Sequence, residues 1–330
     1  MMKRLQAKTQ RTGFVVVVVL GVIIMLTVLL FGFNHKSRAN LRAVDDLRRS
    51  GQVLNCARAG LNIAIAAIKD TPDIHEDKTL SALLSGENNF PVGDGDCSVM
   101  VAEENGKLNL NLLKDENGRL NRTRIDQLLT LVDLLNRRCA GHAHIGYGLV
   151  PSIIDWTDTD EQVTCLPFIQ RGSFGAESDY YTGLAPPYKC KNKPLETVDE
   201  MLLIKGMTPQ IFDRISEYVT VCGDGKVNIN CASETIIRSL SEKVDAALAE
   251  MIVARRRIKA FDTIAELRDV PGMTDSIYNA IRATATVRPA DRYYRVTSWG
   301  RVGHLQRTVD AILRRDVDAK TIKVILYKEI

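Results

Sequence analysis

From Phe14 to Phe33 the chain is apolar apart from Thr27 and two glycines, and no residue in the run is charged. Its 20 residues, rising about 1.5 Å each, match a hydrocarbon core about 30 Å thick. Past Asn34 the pattern changes. Leu41, Val44, Leu47, Val53, Leu54, Ala57, Leu61, Ile65 and Ile68 recur at helical spacing among polar positions, up to Pro72. The spacing predicts one long helix from Phe14 to about Lys69, apolar all round in its first half and striped in its second, as suits a helix that leaves lipid and then covers a sheet. Period-two alternation follows: Cys97–Glu103 reads as a strand, Asn105-Gly106 as a tight hairpin turn and Leu108–Leu112 as the returning strand. Gly225-Lys-Val-Asn-Ile-Asn230 echoes Gly106-Lys-Leu-Asn-Leu-Asn111, and an echo this short reads as two similar strands, not a duplicated domain. Helical periodicity over Arg122–Arg138, Thr197–Tyr218, Ser233–Leu240, Val244–Arg257, Ile264–Leu267 and Asp275–Ala283 predicts an inserted helical region. Tyr294–Val302, Leu305–Leu313 and Ile322–Tyr327, with turns at Gly303 and Asp318, predict a closing antiparallel meander.

The leader ahead of the apolar run holds Lys3, Arg4, Lys8 and Arg11 and no acidic residue, and it ends on Gly13. No A-x-A cleavage site follows the run, so the segment reads as a retained anchor and not as a removed signal peptide. Basic residues ahead of the run favour a cytoplasmic leader, although Lys36, Arg38 and Arg42 beyond it make the asymmetry modest. The formal net charge is +4. The four leader cations account for all of it, and a near-neutral body argues against a dedicated nucleic-acid binder. The seven cysteines form no paired C-x-x-C and fit disulfides in an oxidising compartment. Cys165 with Cys190, which bracket an acidic loop, and Cys222 with Cys231, which flank a Gly-rich turn, are the expected pairs, with Cys56 left over.

The densest polar constellation is Asp155, Asp158, Asp160 and Glu161, with Glu177 and Asp179 across a Gly-containing loop. Closely spaced carboxylates repel one another unless solvated or neutralised, and calcium takes six to eight hard oxygen ligands, so a solvated loop and a calcium site both stay open on residues alone. The spacing is not that of an EF-hand. His142 and His144 form a short H-x-H of the kind usually found on a surface. No G-x-S-x-G, H-E-x-x-H or P-loop supports catalysis, and the chain is expected to be no enzyme. Leu267–Ile281, and less clearly Leu203–Phe212, resemble helix-hairpin-helix units, but Thr274 and Thr208 stand where DNA-binding turns usually carry a second glycine. Arg255-Arg256-Arg257 reads as a solvated helix face.

The Gly13-Phe14 junction resembles a type IV prepilin leader, which a membrane peptidase cuts after the glycine. Joined with Leu108-Asn-Leu-Asn111, Asp155-Trp-Thr-Asp-Thr-Asp160, Ala176-Glu-Ser-Asp-Tyr-Tyr181, Asn192-Lys-Pro-Leu195, Val198-Asp-Glu-Met-Leu202 and Gly225–Asn230, it makes the chain similar to minor pseudopilin K of type II secretion systems. The resemblance implies an α+β, pilin-like fold: a long N-terminal transmembrane helix packed on an antiparallel sheet, with a large helical insertion. In residues, this means a cleaved leader over 1–13, a transmembrane part over 14–33, the rest of the stem and the first strands over 34–112, the insertion over 113–289 and the last strands over 290–330. It implies processing between Gly13 and Phe14, N-methylation of the new terminus, and calcium on Asp155, Asp158, Asp160, Glu177 and Asp179. It also implies a place in the inner membrane with a periplasmic body, at the tip of a short pseudopilus, initiating or capping assembly and supporting protein export. The implied partners are other minor pseudopilins, the major pseudopilin, prepilin peptidase and membrane lipid. Most pilins carry glutamate at the fifth mature position, where this chain has Val18; a subunit with no neighbour above it has no use for that charge. A minor pilin of a type IV pilus-like machine and a membrane-anchored helix-hairpin-helix DNA receptor are the alternatives.

Overall fold

The computed structural model describes residues 3–70, 83, 88–115, 117–137, 143–169, 173–316 and 321–330. Helix α1 spans Lys3–Asp70 without a break, and Phe14–Arg38 is long and apolar enough to cross a membrane. Phe14 through Phe33 are exposed. Its upper half buries Val53, Cys56, Ala57, Leu61, Ala64 and Ile68, one stripe at spacings of three and four.

That stripe covers a five-stranded antiparallel sheet of order β1-β2-β7-β8-β9: β1 Phe90–Val92, β2 Gly95–Glu103, β7 Asp291–Val302, β8 Leu305–Asp316 and β9 Thr321–Glu329. The alternating strands supply one apolar face, Val99 and Val101 from β2, Tyr294 and Val296 from β7, and Val309, Ala311 and Leu313 from β8, which forms one core with the stem. Helix and sheet touch backbone to backbone at Gly300, where a Cβ atom would lie 2.2 Å from the Val53 carbonyl and 2.4 Å from the Ala57 nitrogen. Two residues back along β7, Ser298 lies against Gly60. The contacts climb in step, so the end of the sheet where Glu103 pairs with Tyr294 points away from the apolar half of α1.

At that end the chain leaves the sheet after Glu103 and returns at Asp291. The hairpin expected at Asn105-Gly106 does not form. Its turn type needs positive φ at both central residues, and neither has it. Glu104–Gly106 is a 3-10 turn instead, in which Asn105 accepts from the Tyr293 amide (2.7 Å) and donates to the Asp291 carbonyl (2.9 Å), tying the point of departure to the point of return. Strand β3 (Leu108–Asn109) therefore belongs to the inserted body, where it pairs in parallel with β4 (Val219–Thr220). Leu108 and Leu110 join a second core that shares no residue with the first.

The body contains helices α2 (Arg122–Arg137), α3 (Leu149–Thr157), α4 (Ser178–Thr182), α5 (Pro209–Ile215), α6 (Glu234–Ser239), α7 (Ala246–Ile258) and α8 (Asp275–Ile281). It is one unit built twice. Strand β5 (Val227–Asn228) pairs in parallel with β6 (Ala285–Thr286), as β3 does with β4. Asn111 accepts from the Leu195 amide and donates to the carbonyls of Leu195 (2.9 Å) and Val221 (3.2 Å). Asn230 accepts from Phe261 and donates to Phe261 (2.9 Å) and Val287 (3.1 Å) in the same pattern. Thr197 and Thr263 each open a capping box, closed by Glu200 and Glu266. Gly206 (φ 85°) and Gly272 (φ 90°) make the two helix-hairpin-helix turns, and Thr208 and Thr274 cap the helices that follow. The Gly-Lys-x-Asn echo thus marks a duplication, against the reading of two similar strands. The copies differ in two places: the first carries an extra loop around Lys114 between β3 and α2, and a long segment with α4 between α3, which stands where α7 stands in the second copy, and its hairpin.

Candidate metal centre

Both additions to the first copy meet at one cluster of carboxylates. Helix α3 is apolar and its residues from Leu149 to Trp156 are buried, so Asp155 in its last turn is carried into the core. Asp158 follows as the C-cap, three residues on and over the same helix face. Glu177 arrives from the far side of the loop, immediately before α4. Carboxylate oxygens of Asp155, Asp158 and Glu177 lie within 4.8 Å of one another, in residues only 0%, 8% and 3% exposed.

Four of the six oxygens accept no hydrogen bond of ordinary geometry: Asp155 Oδ2, Asp158 Oδ1 and both oxygens of Glu177, which has the Cys190 thiol beside it. The other two are occupied. Asp155 Oδ1 accepts from the Thr164 amide (2.9 Å), and Asp158 Oδ2 accepts from Lys114 Nζ. Gly175 makes room for the arrangement, since a Cβ there would stand 2.1 Å from Asp155 Oδ2. Beneath lies an aromatic floor, Trp156 edge-on to Tyr181 at 5.1 Å and to Tyr188 at 6.2 Å.

Three buried acids so close together cannot all ionise cheaply. Burial, followed by the charges of Asp155 and Asp158, pushes Glu177 up to about 8. Burial likewise raises Asp155, and it raises Asp158 in spite of Lys114. Lys114 itself is held above the usual lysine range, because its bond to Asp158 and the surrounding carboxylates outweigh its own burial. Unpartnered hard oxygens that repel one another in a closed pocket are the donor set for a hard divalent cation, with backbone carbonyls and water to complete the shell.

The other candidates fall elsewhere. Asp160 is exposed and accepts from the Gln162 amide; its carboxylate lies 3.6 Å from Lys114 Nζ, and its backbone amide donates to the Asp158 carboxylate. Asp179 is exposed in the first turn of α4. Sequence spacing cannot separate these two from the buried three, and nothing local marks Lys114, whose contact bridges 44 residues. Asp155 lies in a helix, where the sequence suggested a loop. Gly13 and Phe14 lie in α1. His142 is outside the described residues, and His144 is exposed.

The structure does not form the expected disulfides; the six described cysteines are free thiols. Cys190 is buried with Sγ against the Asp155 carbonyl (3.5 Å), while Cys165 is exposed. Cys231 donates within its own turn to the Asn228 carbonyl (3.5 Å), and so does not reach for Cys222. Burial raises Cys190 to about 12 and Cys222 to about 11. Cys56, expected to be left over, is buried with Sγ 3.6 Å from the Val92 carbonyl.

At the helix-hairpin-helix turns, Thr208 and Thr274 accept from the amides of Ile211 (3.2 Å) and Ile277 (3.3 Å). Of the basic run, Arg256 faces inward and donates to the carbonyls of Ile229 and Ala232, a correction to its reading as solvated. Arg255 donates to the Lys259 carbonyl (2.8 Å).

Comparison with known proteins agrees with these features. Residues 106–224 match the family described as "Type II secretion system (T2SS), protein K", and residues 224–286 match the helix-hairpin-helix motif. Type II secretion system protein K of Aeromonas hydrophila is 22% identical over 94% of this chain and 95% of its own. That of Pseudomonas aeruginosa is 23% identical over 94% and 90%. The fold is shared with a chain in the crystal structure of the GspK-GspI-GspJ complex from enterotoxigenic Escherichia coli, at a TM-score of 0.64 and 18% identity, over 89% of this chain and 99% of that one. Stem, sheet, doubled helical body and near full-length likeness agree, and together they support the protein K family of type II secretion systems, the minor pseudopilins K, as the family this chain resembles.

Proposed function

We propose that the chain stands at the tip of the type II secretion pseudopilus, where it initiates or caps assembly and so supports export across the outer membrane. Family likeness and the Phe14–Arg38 helix make it a single-pass membrane-anchored protein. The observation that carries the proposal is the position of the doubled body. It leaves and rejoins the sheet at the end remote from the apolar stem, so a further subunit stacking above would meet a second core the size of a domain. Val18 agrees, because the apolar stem offers no carboxylate to a neighbour's terminal amine. The E. coli protein of like fold was crystallised with GspI and GspJ, and counterparts of these two are the partners we infer, with the body in the periplasm. We assign no catalytic role.

Two further expectations belong to this reading. Prepilin peptidase cuts between Gly13 and Phe14, leaving a methylated N-terminus, and the Asp155–Asp158–Glu177 cluster holds calcium. The fit rests on the four unpartnered buried oxygens; a bound ion would join the end of α3 to the start of α4 and hold the first copy's long segment closed.

Labelling the body with a gold-tagged antibody on isolated pseudopili tests the position. Gold at one end of each fibre is expected, and gold along the whole length would refute the tip assignment. Intact mass and N-terminal sequencing test the processing, with a start at Phe14 expected and a start at Met1 against it. The helix-hairpin-helix match favours a second reading, DNA binding. That reading requires salt-sensitive retention of duplex DNA by the detergent-solubilised chain, and the capping of Thr208 and Thr274 and the inward Arg256 speak for retention that is absent or weak.

A further inference from the structure

We propose that Lys114 is a built-in counter-charge that sets which ion the carboxylate cluster accepts, selecting divalent over trivalent cations; this rests on the metal reading above. Lys114 is the point at which the first copy's extra loop enters the cluster. Its backbone is fixed by a bridge to Leu120 and its side chain is largely buried. Its Nζ holds Asp158 Oδ2 and lies 3.6 Å from Asp160 Oδ2.

Two consequences follow from that geometry. The first is orientation. By occupying Asp158 Oδ2, Lys114 leaves Oδ1 as the free oxygen, on the same carboxylate that shares the pocket with Asp155 Oδ2 and both oxygens of Glu177. Every carboxylate oxygen of the trio is thus either held by protein or free for an ion. The second is charge. The three buried carboxylates and one ammonium leave two negative charges in the pocket, which one divalent ion neutralises, while the charge of Asp160, on the exposed side of Lys114, is screened by water. A trivalent ion would leave an uncompensated positive charge in a pocket where burial makes any net charge costly. Repulsion between Lys114 and the ion also grows with the ion's charge, so the lysine penalises a third positive charge more than a second. The second copy of the unit has neither the extra loop nor the long segment, and among the described residues it holds no such cluster. Lys114 and Glu177 are additions to the same copy, and among the described residues they meet Asp155 and Asp158 here alone.

The test uses the full chain in detergent micelles, with terbium luminescence sensitised by Trp156 and Tyr181 and with calcium as competitor. Lys114→Met keeps an unbranched side chain one atom shorter and removes its charge. It should shift the terbium-to-calcium preference toward terbium by at least about tenfold, while Lys114→Arg should stay within about threefold of the unchanged protein. A preference in Lys114→Met that moves less than about twofold would overturn the proposal. So would loss of both ions by Lys114→Met and by Lys114→Gln with far-UV circular dichroism unchanged, since Lys114 would then only hold the loop. If the unchanged protein binds neither ion, the metal reading itself falls and this proposal with it.

Discussion

Stripping the cluster of its ion should make the protein less stable as the pH rises, the reverse of the usual behaviour of paired carboxylates. An unburied glutamate titrates at 4.5, whereas Glu177 in the fold titrates at about 8. Below the lower value both folded and unfolded chains carry the proton and the group contributes nothing. Between the two values the folded chain holds a proton that the unfolded chain has released, so stability falls by about 1.4 kcal/mol per pH unit. Above about 8 the penalty is complete, about 5 kcal/mol in all. Asp155 and Asp158 are raised as well and act in the same direction. Calcium requires the ionised carboxylates, so its affinity should climb about tenfold per pH unit up to about 8, and a saturating concentration should remove the downward slope. The assay is urea unfolding of the detergent-solubilised chain at intervals from pH 5 to 9, with a chelator or with calcium. Glu177→Gln should flatten most of the chelator slope and abolish the calcium effect. Ion-free stability that stays level or rises from pH 5 to 8, or a Glu177→Gln variant with the original slope, would refute the reasoning.

Three other outcomes are expected. Asn111→Ala and Asn230→Ala each remove three hydrogen bonds to backbone groups and should each cost about 3 kcal/mol in urea unfolding, the buried Asn230 somewhat more; a cost below about 1 kcal/mol at either would contradict the equivalence of the two copies. Gly175→Ala places a methyl group against Asp155 Oδ2 and should lower calcium affinity by about 100-fold or more, read by terbium competition, with Gly183→Ala, which meets only carbonyl oxygens at 3.4 Å and beyond, as the silent control. Gly300→Ala cannot be accommodated between β7 and the stem without moving one of them, and it should free the upper stem for proteolysis, read as new cleavage sites between residues 50 and 70.

The elements with strong periodicity were legible in the sequence. The stem, α2, α7 and the closing meander lie close to where their apolar spacing puts them, because each buries one face against one partner. Where an element answers to a distant one, the sequence said less. Asn105-Gly106 carries a hairpin signature, yet its side chain answers to Asp291 and Tyr293, and that long-range demand overrides local turn chemistry. Asp155, Asp158 and Glu177 were among five plausible carboxylates, and only the burial of α3 separates them from Asp160 and Asp179. Lys114 carried no signal at all. The duplication was visible as six residues of echo, and it became evident only when the paired asparagines were seen to hold corresponding backbone groups.

The close spacing of Glu103 and Asp291 has a consequence for how such a chain could arise. A body whose two ends lie side by side can enter a host fold through a single turn, since nothing in the host needs to be stretched to admit it. Each copy within the body repeats the geometry, its first and last strands being hydrogen-bonded neighbours, so copying in tandem asks as little of the fold as the first insertion did. Deleting residues 104–290 and closing β2 to β7 with an Asn-Gly turn should therefore leave a bare stem and sheet that folds by itself. On the proposed tip role, what sets this chain apart from a repeating fibre subunit would then be a detachable graft, and a fibre protein would need only one accepted insertion, doubled later, to become an end piece.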